Sequence, residues 1–201
     1  MSADAHRGPV AGVLLAAGTS SRMGQNKLLL AHDGASLLRR AAKAALDAGL
    51  APVIVVLGHE ADRARAELAG LSCETVVNPR YEDGIVTSLH TGLAAVPASA
   101  AAAVVMLADM PFVTAAMLGG LVERYQTTTA PLAISDYEGV TAPPMLYDRA
   151  LFPELFAIDD GRCGQQVVRR HRAEAEVLAW PTTALADVDV PADLDLLAGG
   201  R

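Results

Sequence analysis

The hydrophobic positions fall into short apolar runs separated by segments with helical spacing. Four runs are apolar and mostly β-branched, which predicts strands covered on both faces. They are residues 11–16, 52–57, 73–77 and 103–108. Helices, the first with Ser36 as a suitable N-cap, are predicted at residues 36–48, 60–68 and 86–96. The alternation of strand and helix predicts an α/β protein, a parallel sheet in a three-layer α/β/α sandwich.

The second half of the chain has a less regular pattern. We predict a helix at 115–125, a strand at 132–135, a proline-rich turn (TAPPM) at 141–145, helices at 150–156 and 165–171, a strand at 175–179 and a closing helix at 191–197. No repeat or linker divides the sequence. Because 201 residues suit one α/β core, we predict a single domain over residues 1–201.

Composition and charge exclude several classes of protein. Aromatic residues make up only 4% of the chain, so Ala, Val, Leu and Ile must fill the core. The net charge of -7 gives no general attraction to nucleic acid or to anionic membranes. Cys73 and Cys163 form no CxxC pair or disulfide framework, and no apolar run approaches the roughly 20 residues of a membrane span. We expect a soluble cytoplasmic protein with no nucleic-acid or membrane partner.

A long loop follows the first predicted strand, in the segment LLAAGTSSRMGQNKLLL at 14–30. Open α/β sheets bind ligands at the carboxyl ends of their strands. Glycine permits close approach of the backbone, hydroxyl groups donate hydrogen bonds, and cations offset phosphate charge. The loop supplies all three kinds of residue, as Gly18, Gly24, Thr19, Ser20, Ser21, Arg22 and Lys27. It therefore indicates a site for phosphate.

Two common phosphate-binding motifs do not fit this loop. A P-loop needs a hydroxyl directly after its lysine, where this chain has Leu28. A dinucleotide fingerprint needs three closely spaced glycines, whereas Gly18 and Gly24 stand six apart. The second strand is followed by Gly58 and His59 rather than by an acidic residue, which argues further against an NAD-dependent oxidoreductase.

Asp109 ends the fourth predicted strand, in VVMLADMPFV at 104–113. A magnesium ion bound to a triphosphate takes one or two protein carboxylates and keeps waters elsewhere, so a strand-end aspartate suits that role. The alternative is an N-cap for the following helix, for which Thr114 is closer. We favour the metal ligand.

Two further segments carry candidate residues. In NPRYEDGIVTSLHTGL at 78–93, Gly84 precedes Thr87 and Ser88 in a helix start that suits contact with a nucleobase, and an ordinary capped helix is an equal alternative. In LADVDVPADLDLL at 185–197, Asp193 suits a helix start after Pro191. The remaining candidates there are Asp187 and Asp189. His59, His90 and His171 lack metal-ligand spacing.

The segment LAAGTSSRMGQNK at 15–27 resembles the opening motif LAAGxSxRMGxxK of the molybdenum cofactor nucleotidyltransferases of the MobA-like group. LADMP at 107–111 matches a second family motif, and residues 84–89 and 187–194 are similar to two more, with Val190 in place of a threonine. The resemblance implies a Rossmann-like, mostly parallel sheet of the nucleotide-diphospho-sugar transferase type. It also implies a nucleotide-binding half at about 8–113 and an acceptor-binding half at about 114–201.

The resemblance further implies Mg²⁺-dependent transfer of a nucleotidyl group to the phosphate of molybdopterin, with release of pyrophosphate. Lys27, Arg22 and Asp109 are implied as catalytic, and Asp109 and Asp189 as metal ligands. The implied nucleotide contacts are Leu15, Ala16, Ala17, Gly18, Thr19, Ser20, Ser21, Gly24, Gly84, Thr87 and Ser88. An AAG sequence at 16–18 is typical of the cytidylyltransferase branch and favours CTP over GTP.

Three alternatives stay open. They are GTP as the nucleotide, another small phosphorylated acceptor, and a non-catalytic nucleotide- or pterin-binding protein that assists a molybdoenzyme or its chaperone. The acceptor-side motifs depart from the family. Ala142, Pro143 and Pro144 stand where it often has Gly-His-Pro, and DDGRCG at 159–164 stands where it often has Gly-Asp-x-Gly-Ala-Arg, with Arg162 as a candidate replacement for the arginine.

Overall fold

The computed structural model describes residues 7–18, 26–32, 34–159 and 164–185. Within these segments the strands are β1 (Val10–Ala16), β2 (Ala31–His32), β3 (Ala35–Ser36), β4 (Val53–Leu57), β5 (Glu74–Val77), β6 (Ala102–Leu107), β7 (Leu132–Tyr137), β8 (Val140–Asp148) and β9 (Glu176–Trp180). β2 and β3 pair with each other, and the other described strands form one sheet in the order β5-β4-β1-β6-β8-β7-β9. β8 runs antiparallel to both of its neighbours, whereas all the other pairings of this sheet are parallel.

Helices cover both faces of the sheet. They are α1 (Leu37–Asp47), α2 (Ala61–Glu67), α3 (Ile85–Ala95), α4 (Ala115–Thr127), α5 (Phe152–Phe156) and α6 (Gln165–Arg170). α1, α2 and α4 contribute to the core on one face, and α3, α5 and α6 to the core on the other. Ser36 and Thr114 each accept a hydrogen bond of 3.2 Å from a backbone N–H of the first helical turn, so both N-caps are confirmed. The mostly parallel three-layer sandwich predicted from the sequence is confirmed.

The central strands show why their sequences are continuously apolar. Along β1, Leu14 and Ala16 pack toward α1 and α4, whereas Val13 and Leu15 pack toward α3. Every residue of β1 and β4 is buried, because each of these strands has a neighbour on both sides and helices above and below.

β5 differs from the prediction. Residues 73–77 were expected to form a buried strand, but β5 pairs only with β4 and lies at one edge of the sheet. Glu74 and Val77 are exposed there. The prediction gave more weight to Cys73, Val76 and Val77 than to Glu74 and Thr75, which are compatible with an edge strand.

The predicted turn at 141–145 is wrong, because these residues belong to β8. The β7–β8 register shifts between Ile134 and Ser135, where the ladder is irregular. The Ser135 hydroxyl donates to the Pro144 carbonyl at 2.7 Å, and the Tyr137 hydroxyl donates to the Pro143 carbonyl at 2.8 Å. Burial raises the pKa of Tyr137 to about 12, so its hydroxyl remains a donor to a higher pH than that of an exposed tyrosine.

The remaining differences are small. The helix predicted at 150–156 is a 3₁₀ helix (Arg149–Leu151) followed by α5, and β2 and β3 were not predicted. The predicted helix at 191–197 lies outside the described residues. In the part of the chain that the structure describes, no helix has the length and apolar character needed to cross a membrane.

Candidate active site

The side chains of Lys27 and Asp109 meet at the carboxyl ends of β1 and β6. β1 lies between β4 and β6 in the sheet, and the chain forms β4 on one side of β1 before it forms β6 on the other. Such a change of direction is a topological switch point, where α/β sheets have a ligand-binding crevice. Lys27 begins a 3₁₀ helix (Lys27–Leu29), and Asp109 lies in the turn after β6. Lys27 Nζ lies 2.9 Å from Asp109 Oδ2.

Local packing holds both members of this pair. The buried Asn26 side chain caps the 3₁₀ helix by accepting a hydrogen bond of 3.2 Å from the Leu28 N–H, and Leu28 is itself buried. On the other side, the Ala108 N–H donates to the Leu15 carbonyl at 3.1 Å, which continues the contact between β1 and β6 up to Asp109. The Lys27 side chain is 13% exposed and that of Asp109 is 28% exposed, so the pair is partly desolvated yet open to solvent on one side.

The loop after β1 starts from a tightly packed position. Leu15, Ala16 and Ala17 are buried, whereas Gly18 is exposed. Gly58, directly after β4, packs so closely that a Cβ atom there would lie 2.6 Å from the Ala17 carbonyl oxygen and 2.8 Å from the Ala17 methyl group. Position 58 therefore requires glycine, and the start of the loop rests on the end of β4.

The predicted nucleobase contacts lie at the start of α3, where a side chain from the end of β5 holds them. Asn78 Nδ2 donates to Thr87 Oγ1 at 2.8 Å and to Ser88 Oγ at 2.9 Å. The Thr87 hydroxyl also lies 2.8 Å from both the Arg80 and the Gly84 carbonyl oxygens, and its single proton is donated to one of them or shared between the two. Gly84 has φ 109°, a conformation that favours glycine.

Asn78 is a structural residue of the site that the sequence reasoning missed. It is 2% exposed, and its Oδ1 accepts a hydrogen bond of 2.9 Å from the Arg80 N–H. The available signal was the Asn-Pro pair directly after a strand, because asparagine there commonly bonds to the backbone two residues later.

Several predicted residues lie outside the described segments. They are Thr19, Ser20, Ser21, Arg22, Gly24, Arg162, Asp187, Asp189 and Asp193. The departures at Ala142, Pro143 and Pro144 are described. Because β8 is antiparallel, its first residues lie at the sheet edge where the parallel strands end, which is also the edge of Asp109.

The described residues can supply one carboxylate, that of Asp109, to a metal site. Among them, no three His, Cys, Asp or Glu side chains lie close enough together to hold a metal ion. A magnesium ion bound to a triphosphate needs only one or two protein carboxylates, and Asp109 offers one beside Lys27. Asp109 therefore fits the implied ion.

A mostly parallel α/β sheet, with a Lys–Asp pair and a glycine-containing loop at its carboxyl edge, defines an α/β protein of the nucleotidyltransferase fold. The profile described as the MobA-like NTP transferase domain matches residues 12–176, and the chain belongs to this family. The MobA-like resemblance in the sequence is thereby confirmed.

Curated relatives share this family but carry different names. The chain is 28% identical over 198 residues to the purine catabolism protein PucB of Bacillus subtilis, covering 92% of this chain and 94% of the relative. It is 29% identical over 171 residues to nicotine blue oxidoreductase of Paenarthrobacter nicotinovorans, covering 81% and 82%. A protein of Opitutus terrae named as a probable molybdenum cofactor guanylyltransferase is 34% identical over 122 residues, covering 60% and 57%.

Among solved structures, the chain is similar to Rv0371c of Mycobacterium tuberculosis, with a TM-score of 0.83, 28% identity, and coverage of 96% of this chain and 100% of the other. A second structure of Rv0371c, titled as a complex with manganese, gives a TM-score of 0.79 at 27% identity, with the same coverage.

Proposed function

We propose that the protein transfers CMP from CTP to the phosphate of molybdopterin or the molybdenum cofactor, in a Mg²⁺-dependent reaction that releases pyrophosphate. The observation that carries this proposal is the Lys27–Asp109 pair, with its 2.9 Å separation, at the carboxyl edge of a MobA-like NTP transferase sheet. A cation and a carboxylate held together at this edge are the groups needed beside a triphosphate and its metal ion.

The chemical step forms one P–O bond and breaks another. A phosphate oxygen of the acceptor attacks the α-phosphorus of the nucleotide, and pyrophosphate leaves from the opposite side without a covalent enzyme intermediate. Both reactants are anionic, so the protein has to align them and offset their repulsion. Lys27 and Arg22, with backbone amides of the loop that includes Thr19, Ser20, Ser21 and Gly24, perform this task.

Lys27 has two successive partners in this mechanism. In the free protein its ammonium offsets the charge of Asp109, and in the nucleotide complex it turns to a phosphate oxygen. Asp109, together with Asp189, would hold Mg²⁺, which would supply further neutralisation of the phosphate charge.

The nucleotide preference is assigned to the start of the first loop and the start of α3. The family resemblance of the AAG sequence supports CTP, and the burial of Ala16 and Ala17 supports a fixed backbone at this point. Gly84, Thr87 and Ser88 provide the base or ribose contacts, with Asn78 orienting the two hydroxyl groups. GTP is the second candidate, because the Opitutus terrae relative is named as a guanylyltransferase.

The name of that relative also supports a molybdenum cofactor acceptor. Residues of about 8–113 bind the nucleotide, and residues of about 114–201 bind the acceptor. The β6–β8 pairing supports this arrangement, because it brings the first residues of β8, which belong to the acceptor half, toward the sheet edge where Asp109 lies.

The test is pyrophosphate release with Mg²⁺ and molybdopterin, measured separately with CTP, GTP, ATP and UTP, and with identification of the pterin product by mass spectrometry. We expect the fastest release with CTP and one CMP-linked pterin per pyrophosphate. Faster release with GTP would overturn the choice of nucleotide. No release with any nucleotide, despite measurable CTP binding, would favour a different acceptor or a non-catalytic accessory protein.

A further inference from the structure

An open depression of about 400 Å³ lies between the first residues of β8 and helix α6. Its lining residues are Thr141, Gln165, Val168, Arg169 and Arg172. Its volume is within the range of about 300–1,000 Å³ that small-molecule sites occupy.

The register of the sheet places this depression toward the carboxyl edge of the parallel strands, where Lys27 and Asp109 meet. The last paired residues of the β6–β8 ladder are Val105 and Met145. Asp109 follows Val105 by four positions, and Thr141 precedes Met145 by four positions, so both lie beyond the ladder in the same direction. The depression and Asp109 therefore lie toward the same edge of the sheet.

Its charged groups are suited to an anion. Arg172 Nη1 donates to Thr141 Oγ1 at 3.3 Å, and Arg172 Nη2 lies 3.8 Å from Asp136 Oδ1. Among the described residues, Arg169 makes no salt bridge, whereas the adjacent Arg170 is paired with Glu154. Two guanidinium groups against one carboxylate leave a local positive charge in a protein whose net charge is -7.

The base of the depression is apolar and firmly placed. Val168 is 5% exposed and belongs to the core between α6 and the sheet. An anion above it would contact the arginine side chains at the rim. Arginine is the side chain best suited to this role, because its planar group can form two parallel hydrogen bonds to phosphate.

We propose that this depression binds the phosphate monoester of the acceptor, and that Arg169 and Arg172 position it for attack. The inference rests on the proposed nucleotidyl transfer for its role in turnover, whereas binding of phosphate itself can be measured without any reaction. Free phosphate has the same chemistry as the acceptor group, so the test has separate arms for binding and for catalysis.

The binding arm is a titration of the full-length protein, ¹³C-labelled at Val and Leu methyl groups, with inorganic phosphate. The methyl signals of Val168 report on the depression, and those of Leu28 report on the Lys27 loop. We expect saturable shifts at Val168 that weaken on the order of 10- to 100-fold in affinity in the R169Q/R172Q variant and persist in R170Q. No shift at Val168, or equal shifts in R169Q/R172Q, would overturn the proposal.

The catalytic arm measures the KM for molybdopterin at saturating CTP. Each of R169Q and R172Q should raise this KM about tenfold, with the KM for CTP unchanged, because one charge-assisted contact is lost. R172K should recover part of the loss, and R170Q is the matched control on the same helix.

An unchanged acceptor KM in R169Q/R172Q would overturn the assignment to the acceptor even if phosphate binds. If the wild-type protein turns over no nucleotide, the proposed function fails, and the binding arm still decides whether the anion site exists.

Discussion

Lys27 and Asp109 form a partly desolvated ion pair whose members come from two different loops. A charge in this setting interacts more strongly with a partner than a fully hydrated one does. Lys27 can therefore contribute to phosphate binding while adding little to the stability of the fold, since Asp109 keeps 28% exposure and can be hydrated when its partner leaves.

The Lys27→Met variant separates these two contributions. We expect kcat/KM for pyrophosphate release to fall by about 10²–10³-fold, the typical loss for one charge-stabilising group, while stability falls by about 1 kcal/mol or less. The control is Lys43→Met, because Lys43 forms an exposed pair with Asp47 on α1. Steady-state assays and thermal unfolding give the two quantities. Equal losses of activity in the two variants would contradict a specific role for Lys27.

The site residues show which contacts sequence patterns can reveal. Lys27 and Asp109 could be predicted because each stands in a motif at the end of an apolar strand. The Asn-Pro pair indicates a turn at Asn78, but its contacts with Thr87 and Ser88 arise only when α3 packs beside the end of β5. The role of Gly58 depends on its distance to Ala17, which arises only when β1 and β4 pair.

At the scale of the element, helix α3 approaches the sheet closely at Gly92. A Cβ atom at this position would lie 2.4 Å from Val13 Cγ1 and 2.9 Å from Val56 Cγ2. Both valines are fully buried in central strands and cannot easily move away. In contrast, a Cβ atom at Gly119 in α4 would have no neighbour within 4 Å.

The two glycines therefore predict opposite effects of the same substitution. Gly92→Ala should destabilise the protein by about 1–3 kcal/mol through overpacking, even though alanine favours helix. Gly119→Ala should stabilise it by about 0.5–1 kcal/mol, because it gains helix propensity without a clash. Urea unfolding measures both changes, and a Gly92→Ala variant as stable as Gly119→Ala would refute the close packing of α3.

Helices α5 and α6 are joined by a charged cluster around Glu154. His171 Nε2 lies 2.9 Å from Glu154 Oε1, and Arg170 forms a salt bridge with the same carboxylate. The hydrogen bond to His171, with the contribution of Arg170, holds the pKa of Glu154 below its usual value of 4.5.

This lowered pKa predicts a dependence of stability on pH. The folded protein binds the Glu154 proton less readily than the unfolded chain does, so the stabilisation is complete above pH 4.5 and is lost as the pH falls through the lower pKa of the folded state. Glu154→Gln should be less stable than wild type at pH 7, and the difference should shrink in acid. Urea unfolding at several pH values checks this, and a difference that stays constant would contradict it.

Two elements show where periodicity stops being informative. Buried strands were predicted for both β1 and β5, yet β1 lies at the centre of the sheet and β5, which carries Glu74 and Thr75, lies at an edge. Strand order depends on how the helices cross the sheet. Residues 141–145 contain two prolines, which favour a turn locally, but hydroxyl groups from Ser135 and Tyr137 bind the carbonyls of Pro143 and Pro144 within β8. Those hydroxyl groups reach the prolines only through the pairing with β7.

At the scale of the whole molecule, one sheet joins the two halves of the chain. β6, which leads to Asp109, pairs directly with β8, whose first residues border the proposed acceptor site. Backbone hydrogen bonds between these strands therefore fix the spacing between Asp109 and the proposed acceptor site. Six strands of the sheet could be predicted from the sequence, namely β1, β4, β5, β6, β7 and β9. The antiparallel insertion of β8 between β6 and β7 could not, because it is a long-range pairing.

The most direct test of nucleotidyl transfer at the carboxyl edge of the sheet compares wild type with Asp109→Asn. The measurement is pyrophosphate release from CTP in the presence of Mg²⁺ and molybdopterin. Asp47→Asn, which removes an exposed carboxylate of α1, is the control. We predict a loss of about 100-fold or more in kcat for Asp109→Asn, with CTP binding still measurable by calorimetry and the control unchanged. Release within about tenfold of wild type in Asp109→Asn would contradict the central role of this carboxylate.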